Sequence, residues 1–361
     1  MDVYVPLSII LILISLLFRQ KKVSQGAFML SMVMICLFAS LRYCFGPDYF
    51  SYWDIYREIK ANGLGRRAEG EPLFYIYLQS FPSYTAFIVT NSILWCLVFY
   101  LFYKKYIDGK YFWLLLIYIL FTESCLIDAL VAMRSGLASI IFIGAYEALS
   151  RKKRLIYLLI IGASVLIHTS TIALVPLVLL NNKKKSIFFS WIFVLVICAV
   201  AVVTTFMEHN MVMSMLAMQL SDSVETFAKY EHYLDDMSTS SSIVRHLILK
   251  IMSIIPYLFI VAGARKETDE KYLLIYKLAM LVPILGLVIG QGMMSRYFMI
   301  FNCFYIVALI RSIKYVPQLY AIVSILAVLI ANVFMFYNSM GQEYNMTIWH
   351  YQTILSAPSI P

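Results

Sequence analysis

Twelve apolar segments, at about 3–18, 27–43, 83–103, 111–127, 129–149, 155–167, 169–180, 186–206, 243–263, 272–290, 296–310 and 317–338, partition this chain almost end to end. A run of about 20 apolar residues matches the hydrocarbon core of a bilayer, and only a helix hides its own backbone polarity there. The pattern therefore predicts an all-α polytopic membrane protein with about 12 transmembrane helices, built as one integral membrane domain over 1–361. With 62% hydrophobic and 14% charged residues among 361, a soluble fold could not cover its own apolar surface.

The connections fix an orientation. Basic residues gather at every second one: Arg19, Lys21 and Lys22; Lys104, Lys105 and Lys110; Arg151 to Arg154; Lys183 to Lys185; Arg265, Lys266 and Lys271; Arg311 and Lys314. Clusters flanking short spans mark the cytoplasmic side. Both termini and the long connections 44–82 and 207–242 are then expected outside. The N-terminal segment has no basic residue before it and reads as a retained first span, not a cleaved signal. The net charge of +9 belongs to this topology and not to nucleic acid. The cytoplasmic connections are short and lack a glycine loop for phosphates, so chemistry is expected on the outer face.

Segments 155–167 and 169–180 are each only about 18 to 20 Å long as helices, short of a core of about 30 Å. They read as a hairpin with His168, Thr169, Ser170 and Thr171 at its tip. The six cysteines lack metal spacing and read as small hydrophobes, with a Cys44–Cys125 pairing left open. No metal site and no cofactor is expected.

Four cationic or titratable groups fall in the outer half. Arg42 closes the second span, Arg134 lies about 9 Å deeper than Asp128 along a helix, His168 is at the hairpin tip, and Arg296 opens the eleventh span. A guanidinium in the membrane is costly unless paired or hydrated. Arg42 and Arg296 could each snorkel to headgroups, His168 could bond a backbone carbonyl, and Arg134 could pair with Glu123 or Asp128. Together they suit a pocket for a strongly anionic ligand, since arginine forks match phosphate oxygens.

Residues 42–59 read as a turn at Gly46-Pro47, a helix capped by Asp48, and an end at Asn62-Gly63. Tyr49, Tyr52, Trp53 and Tyr56 would lie at the water boundary, as an aromatic belt or a stacking platform for sugar rings. Glu71-Pro72 opens another helix in the same way. Asp48 and Glu71 are each either caps or a general base beside the cationic pocket. The methionine-rich stretch Met211, Met213, Met215 and Met218, followed by Tyr230 and Tyr233, reads as an interfacial helix or as the flank of a lipid or saccharide groove.

The ordered set Arg42, Gly46-Pro47-Asp48-Tyr49, Tyr52, Glu71-Pro72-Leu73-Phe74, Arg134 with Leu137-Ala138, His168 and Arg296 resembles the Wzy-type polysaccharide polymerases, in their EpsG-like branch. The likeness spans about 40–300. Pro47 stands where the family has threonine, and Ser135 where glutamine often follows the arginine. The resemblance implies a glycosyltransferase of the bacterial cytoplasmic (inner) membrane. It would join undecaprenyl-pyrophosphate-linked repeat units of O-antigen, capsule or exopolysaccharide on the outer face, with lipid-linked donor and acceptor, membrane lipid and a chain-length regulator protein as partners. Arg134, Arg296 and Arg42 would bind the diphosphate, and Asp48, Glu71 or His168 would take the acceptor proton. Tyr49, Tyr52, Trp53 and Tyr297 would flank the substrate. A lipid-linked oligosaccharide flippase is a rival with similar charges, but no matched halves with interrupted helices occur. An O-antigen ligase shares the chemistry and differs in its acceptor.

Overall fold

The computed structural model describes residues 2–20, 23–64, 70–180, 186–206, 243–288, 295–340, 348 and 350–355. The architecture is all-α. In order come α1 (Tyr4–Leu17), α2 (Ser24–Leu41), strand β1 (Arg42–Tyr43), α3 (Asp48–Asn62), α4 (Pro72–Gln79), α5 (Tyr84–Tyr106), α6 (Phe112–Phe121), α7 (Leu126–Val131), α8 (Met133–Ser150), α9 (Arg154–Val165) and a 3-10 helix (Thr169–Leu179). The order continues with α10 (Trp191–Phe206), α11 (Ile243–Lys266), α12 (Glu270–Val288), α13 (Ser295–Ser312), α14 (Gln318–Met340) and strand β2 (Gln352–Thr353).

Contacts divide the chain into two compact units, Met1–Asn182 with Asn332–Pro361, and Lys183–Ala331. Among the described residues three helices, Ser24–Leu41, Tyr84–Tyr106 and Gln318–Met340, are each long and apolar enough to cross a membrane, and six apolar helices are shorter. Their outward faces are greasy: Met29, Leu30, Val33 and Leu37 on α2, and Ile93, Leu97 and Leu101 on α5, are exposed at helical spacing. Such stripes need hydrocarbon, not water, around them.

In the first unit α2 packs on α5, α1 on α6, and α8 on both α5 and α9. The fourth apolar segment, 111–127, is shorter than expected. It stops at Phe121 because Thr122, Glu123 and Ser124 follow, and the short α7 comes before the chain turns at Ala132 into α8. Gly136 lets α8 come close to α7, since a Cβ there would lie 2.7 Å from the Ala129 carbonyl. Residues 154–180 do form the expected hairpin, with the Tyr157 hydroxyl donating to the Leu174 carbonyl across it at 2.5 Å. Its second limb is a 3-10 helix containing Pro176, which lacks an N–H for the helical ladder.

One end of this unit is tied by the chain's last segment. Strand β2 pairs antiparallel with β1, matching Thr353 to Arg42 and Gln352 to Tyr43. Tyr351 stacks on Phe38 at 4.3 Å and donates to its carbonyl at 2.6 Å. Tyr4 of α1 lies 5.5 Å from Phe38 and 5.8 Å from Phe336 of α14, so the start of α1 and the ends of α2 and α14 meet there.

In the second unit α12 packs against α10, α11 and α13. Fully buried Glu267 joins the α11–α12 turn to α13: it accepts from Arg311 Nε at 2.7 Å, the Tyr315 hydroxyl at 2.8 Å and the N–H groups of Thr268 and Asp269.

Candidate functional site

The patch at 42–59 takes its shape from Gly46, whose φ of +80° suits glycine and whose missing Cβ leaves room for Val131. Pro47, which has no side-chain donor or acceptor, then occupies the N-cap of α3, and Asp48 is the first residue of the helix. This corrects the expected cap. Its charge still complements the positive end of the helix from inside the first turn. Gly63, φ +74°, ends α3 as expected.

The tyrosines of α3 do not form a surface platform. Tyr49, Tyr52 and Tyr56 recur at helical spacing and pack, with Ile59, against Phe74, Tyr75 and Leu78 of α4 and Tyr84 and Phe87 of α5. Trp53 is half-buried beside them. This aromatic layer is the floor on which the polar residues stand.

Glu71 is the hub. It occupies the N-cap position of α4 with Pro72 in the first turn, but its side chain turns away from the helix. Oε2 ion-pairs with Nη1 of Arg134. Oε1 meets His168 Nδ1 at 3.1 Å and the N–H of Thr169 at 3.0 Å. The other ring nitrogen of His168 lies 3.2 Å from Ser135 Oγ. Arg134 Nε reaches the Tyr52 hydroxyl at 3.3 Å, and its guanidinium lies 5.6 Å from the ring centres of both Tyr52 and Phe74. Tyr52, Arg134, Glu71, His168 and Ser135 thus form one connected network from α3, the 63–71 connection, α8 and the hairpin tip.

The electrostatics follow from this geometry. Burial would raise the Glu71 carboxyl. The His168 hydrogen bond, the Arg134 charge and the Thr169 N–H outweigh it and hold the group at about 2. Glu71 and His168 are buried, whereas the Arg134 side chain is 33% exposed. Among the described residues its Nη2 has no hydrogen-bond partner. The network presents one guanidinium edge outward and locks the rest.

Arg134 therefore pairs with Glu71 and not with Glu123 or Asp128, the alternative partners the sequence offered. Glu123 instead receives the Ser339 hydroxyl. Asp48 is half-buried one helical turn before Tyr52 and acts electrostatically on it. Arg42 neither snorkels nor faces an open groove: it is 1% exposed, donating from Nη1 to the Ala39 carbonyl and to Ser92 Oγ, and from Nη2 to the Leu130 carbonyl. Arg296 and Tyr297 belong to the second unit at the start of α13, and the Arg296 side chain lies outside the described residues. The connection 207–242, with Met211, Met213, Met215, Met218, Tyr230 and Tyr233, also lies outside them.

Ser135 and Thr169 enter the site without having been singled out as its members. Each directly follows a residue that was. All six cysteines are free thiols, so Cys44 and Cys125 are not bridged. Among the described residues no three His, Cys, Asp or Glu side chains converge as a metal site.

A family model described as the EpsG family matches residues 26–353. No curated protein and no solved structure matches the chain.

Proposed function

Because the chain belongs to the EpsG family, we propose that it is a polysaccharide polymerase, a glycosyltransferase joining undecaprenyl-pyrophosphate-linked repeat units on the outer face of the bacterial cytoplasmic membrane. The observation that carries this reading is the convergence of Tyr52, Glu71, Arg134 and His168, which lie far apart in sequence and carry the family likeness.

The exposed edge of Arg134 binds the diphosphate of the lipid-linked donor. Guanidinium–phosphate hydrogen bonds are strong, and they strengthen as charge develops on the leaving group. Glu71 and Tyr52 fix the guanidinium plane, so little ordering remains when the ligand arrives. Glu71 is a poor base because both its oxygens are engaged and its carboxyl is held at about 2. His168 holds Glu71 on one side and Ser135 on the other, which suits a positioning role.

Asp48 is the carboxylate we assign as base. The acceptor hydroxyl attacks the anomeric carbon of the growing chain and its proton passes to Asp48. The bond from that carbon to the diphosphate oxygen breaks, and the lipid diphosphate departs on Arg134. The donor brings its own leaving group, so no nucleotide enters the reaction. The termini and the connections 44–82 and 207–242 are assigned to the outer side on the charge pattern of the connections. Partners are the lipid-linked donor and acceptor and a chain-length regulator.

Deleting the gene and sizing the surface glycan tests the assignment. A single repeat unit per lipid core is the expected result. Loss of all attached glycan would point to a ligase, and lipid-linked units stranded on the cytoplasmic face to a flippase; either outcome overturns the polymerase.

A further inference from the structure

Three contacts show how α2 lies against α5. Phe28 stacks on Tyr100 at 5.6 Å, the Cys36 and Cys96 thiols hydrogen-bond one another, and Arg42 Nη1 donates to Ser92 Oγ at 2.9 Å. As the position rises along α2 from 28 to 42, its partner on α5 falls from 100 to 92, so the two helices run antiparallel. The sulfurs therefore meet inside one continuous seam, bracketed by contacts on both sides.

Both helices are long and apolar enough to cross a membrane. Cys36 precedes Arg42 by six residues, which puts it about 9 Å along the helix from the outer end. Cys36 is half-buried and flanked on α2 by Val33 and Leu37, which are exposed on the lipid-facing side, whereas Cys96 is buried behind it. The seam opens toward hydrocarbon and not toward water. Cys303, by contrast, is buried and donates to the Ile300 carbonyl at 3.4 Å.

Two thiols in hydrogen-bond contact already face sulfur to sulfur, and a disulfide draws them in to about 2.05 Å. The attacking sulfur in such a closure is a thiolate, and donors around it hold that charge. Cys36 has two, the Cys96 thiol and the Ser40 hydroxyl, whose oxygen is 3.9 Å away. We propose that Cys36 and Cys96 are a redox-active pair, oxidised from the lipid phase by a quinone to a disulfide that staples α2 to α5 beneath Arg42. Two S–H bonds break and one S–S bond forms, and the two electrons and two protons reduce the quinone to its quinol. The pair is separate from the glycosyl-transfer network and stands whatever the reaction.

The test uses the full chain in lipid vesicles, treated with tetramethylbenzoquinone, whose ring is fully substituted and adds no thiol. The chain is then denatured, its free thiols are capped with a maleimide and the caps are counted by mass. Untreated protein should take six caps, one for each free cysteine. Quinone-treated protein should take two fewer, with a peptide map joining 36 to 96, and a reductant should restore them. Cys36→Ser and Cys96→Ser should each lose no thiol to the quinone, while Cys303→Ser still loses the pair. The oxidised chain should unfold at a higher temperature than the reduced one, because the cross-link constrains the unfolded state, and Cys36→Ser should abolish that shift. Unchanged caps after quinone would mean that the sulfurs only fill space and would overturn the proposal. So would a bond mapped to any other pair, or an equal loss with oxidised glutathione, which is confined to water.

Discussion

Arg134 and Glu71, 63 positions apart in sequence, are joined by an Nη1–Oε2 ion pair, and the opposite carboxylate oxygen holds His168. One carboxylate therefore decides where two basic side chains point. Replacing Arg134 with Ala removes the outward guanidinium edge and leaves Glu71 with His168 and Thr169. Because the arginine is one-third exposed, the fold should lose only on the order of 2 kcal/mol, below the range for breaking a fully buried pair. Membrane insertion should be normal and long-chain glycan absent. Wild-type chain lengths in that strain would reduce the pair to scaffolding.

The low carboxyl of Glu71 has a pH signature. Its ordinary value of 4.5 falls to about 2 in the folded chain. A depressed carboxyl contributes stability that is fully present above the unfolded value and is lost as pH falls through the folded one. The contribution is about 3 kcal/mol. Thermal midpoints of the purified protein and of Glu71→Gln should differ at pH 6 and converge between pH 4.5 and 2. A gap that stays constant down to pH 2 would mean that the carboxyl is not held low.

Several features of this site could be read from sequence, and others could not, for physical reasons. Arg134 and His168 stood out because a cation in an apolar run needs a partner. The identity of that partner did not follow: the close carboxylates Glu123 and Asp128 looked adequate, but the turn at Ala132 and the reversal at Glu71-Pro72 bring a distant acid closer. Tyr49, Tyr52 and Tyr56 announced a helical face by spacing alone. Whether that face met water, lipid or α4 depends on tertiary packing, which spacing does not encode. Ser135 and Thr169 carry no charge and disturb no hydropathy pattern, so only geometry reveals them. The breaks around α7 were equally hidden, since short polar interruptions look like span ends of uncertain length.

Gly46→Ala tests the turn that starts α3. The left-handed backbone costs a non-glycine residue roughly 1–2 kcal/mol, and the new Cβ would lie 2.4 Å from Val131 Cγ2. Gly63→Ala is the control, with φ +74° and nothing within 4 Å. Both variants should lower the thermal midpoint, Gly46→Ala by the larger amount, and only Gly46→Ala should also shorten the glycan, because it displaces Asp48. Equal losses would show that Val131 yields without moving α3.

Arg296→Lys asks whether a fork or only a charge is needed at the start of α13. Lysine is a point charge and cannot bind two phosphate oxygens in a plane. Glycan chains should be shortened but present at unchanged protein level. Full-length chains would argue for charge alone, and unaltered chains in Arg296→Ala as well would show that glycan synthesis does not use this residue.

Asp48→Asn separates chemistry from architecture at the proposed base. The amide keeps the volume and the place in the first turn of α3 and loses a favourable helix-end charge worth about 0.3–1 kcal/mol. The aromatic layer beneath, from Tyr49 to Phe87, is untouched, so the thermal midpoint should stay near wild type. Proton transfer by a positioned side chain contributes roughly 10²–10⁴ in rate, and turnover of a lipid-linked substrate should fall by that factor. His168→Gln offers the contrast, because both ring nitrogens are engaged and their loss should lower the midpoint as well as the rate. If Asp48→Asn retains long-chain glycan while His168→Gln abolishes it at normal stability, the proton goes to the imidazole and Asp48 serves only the helix.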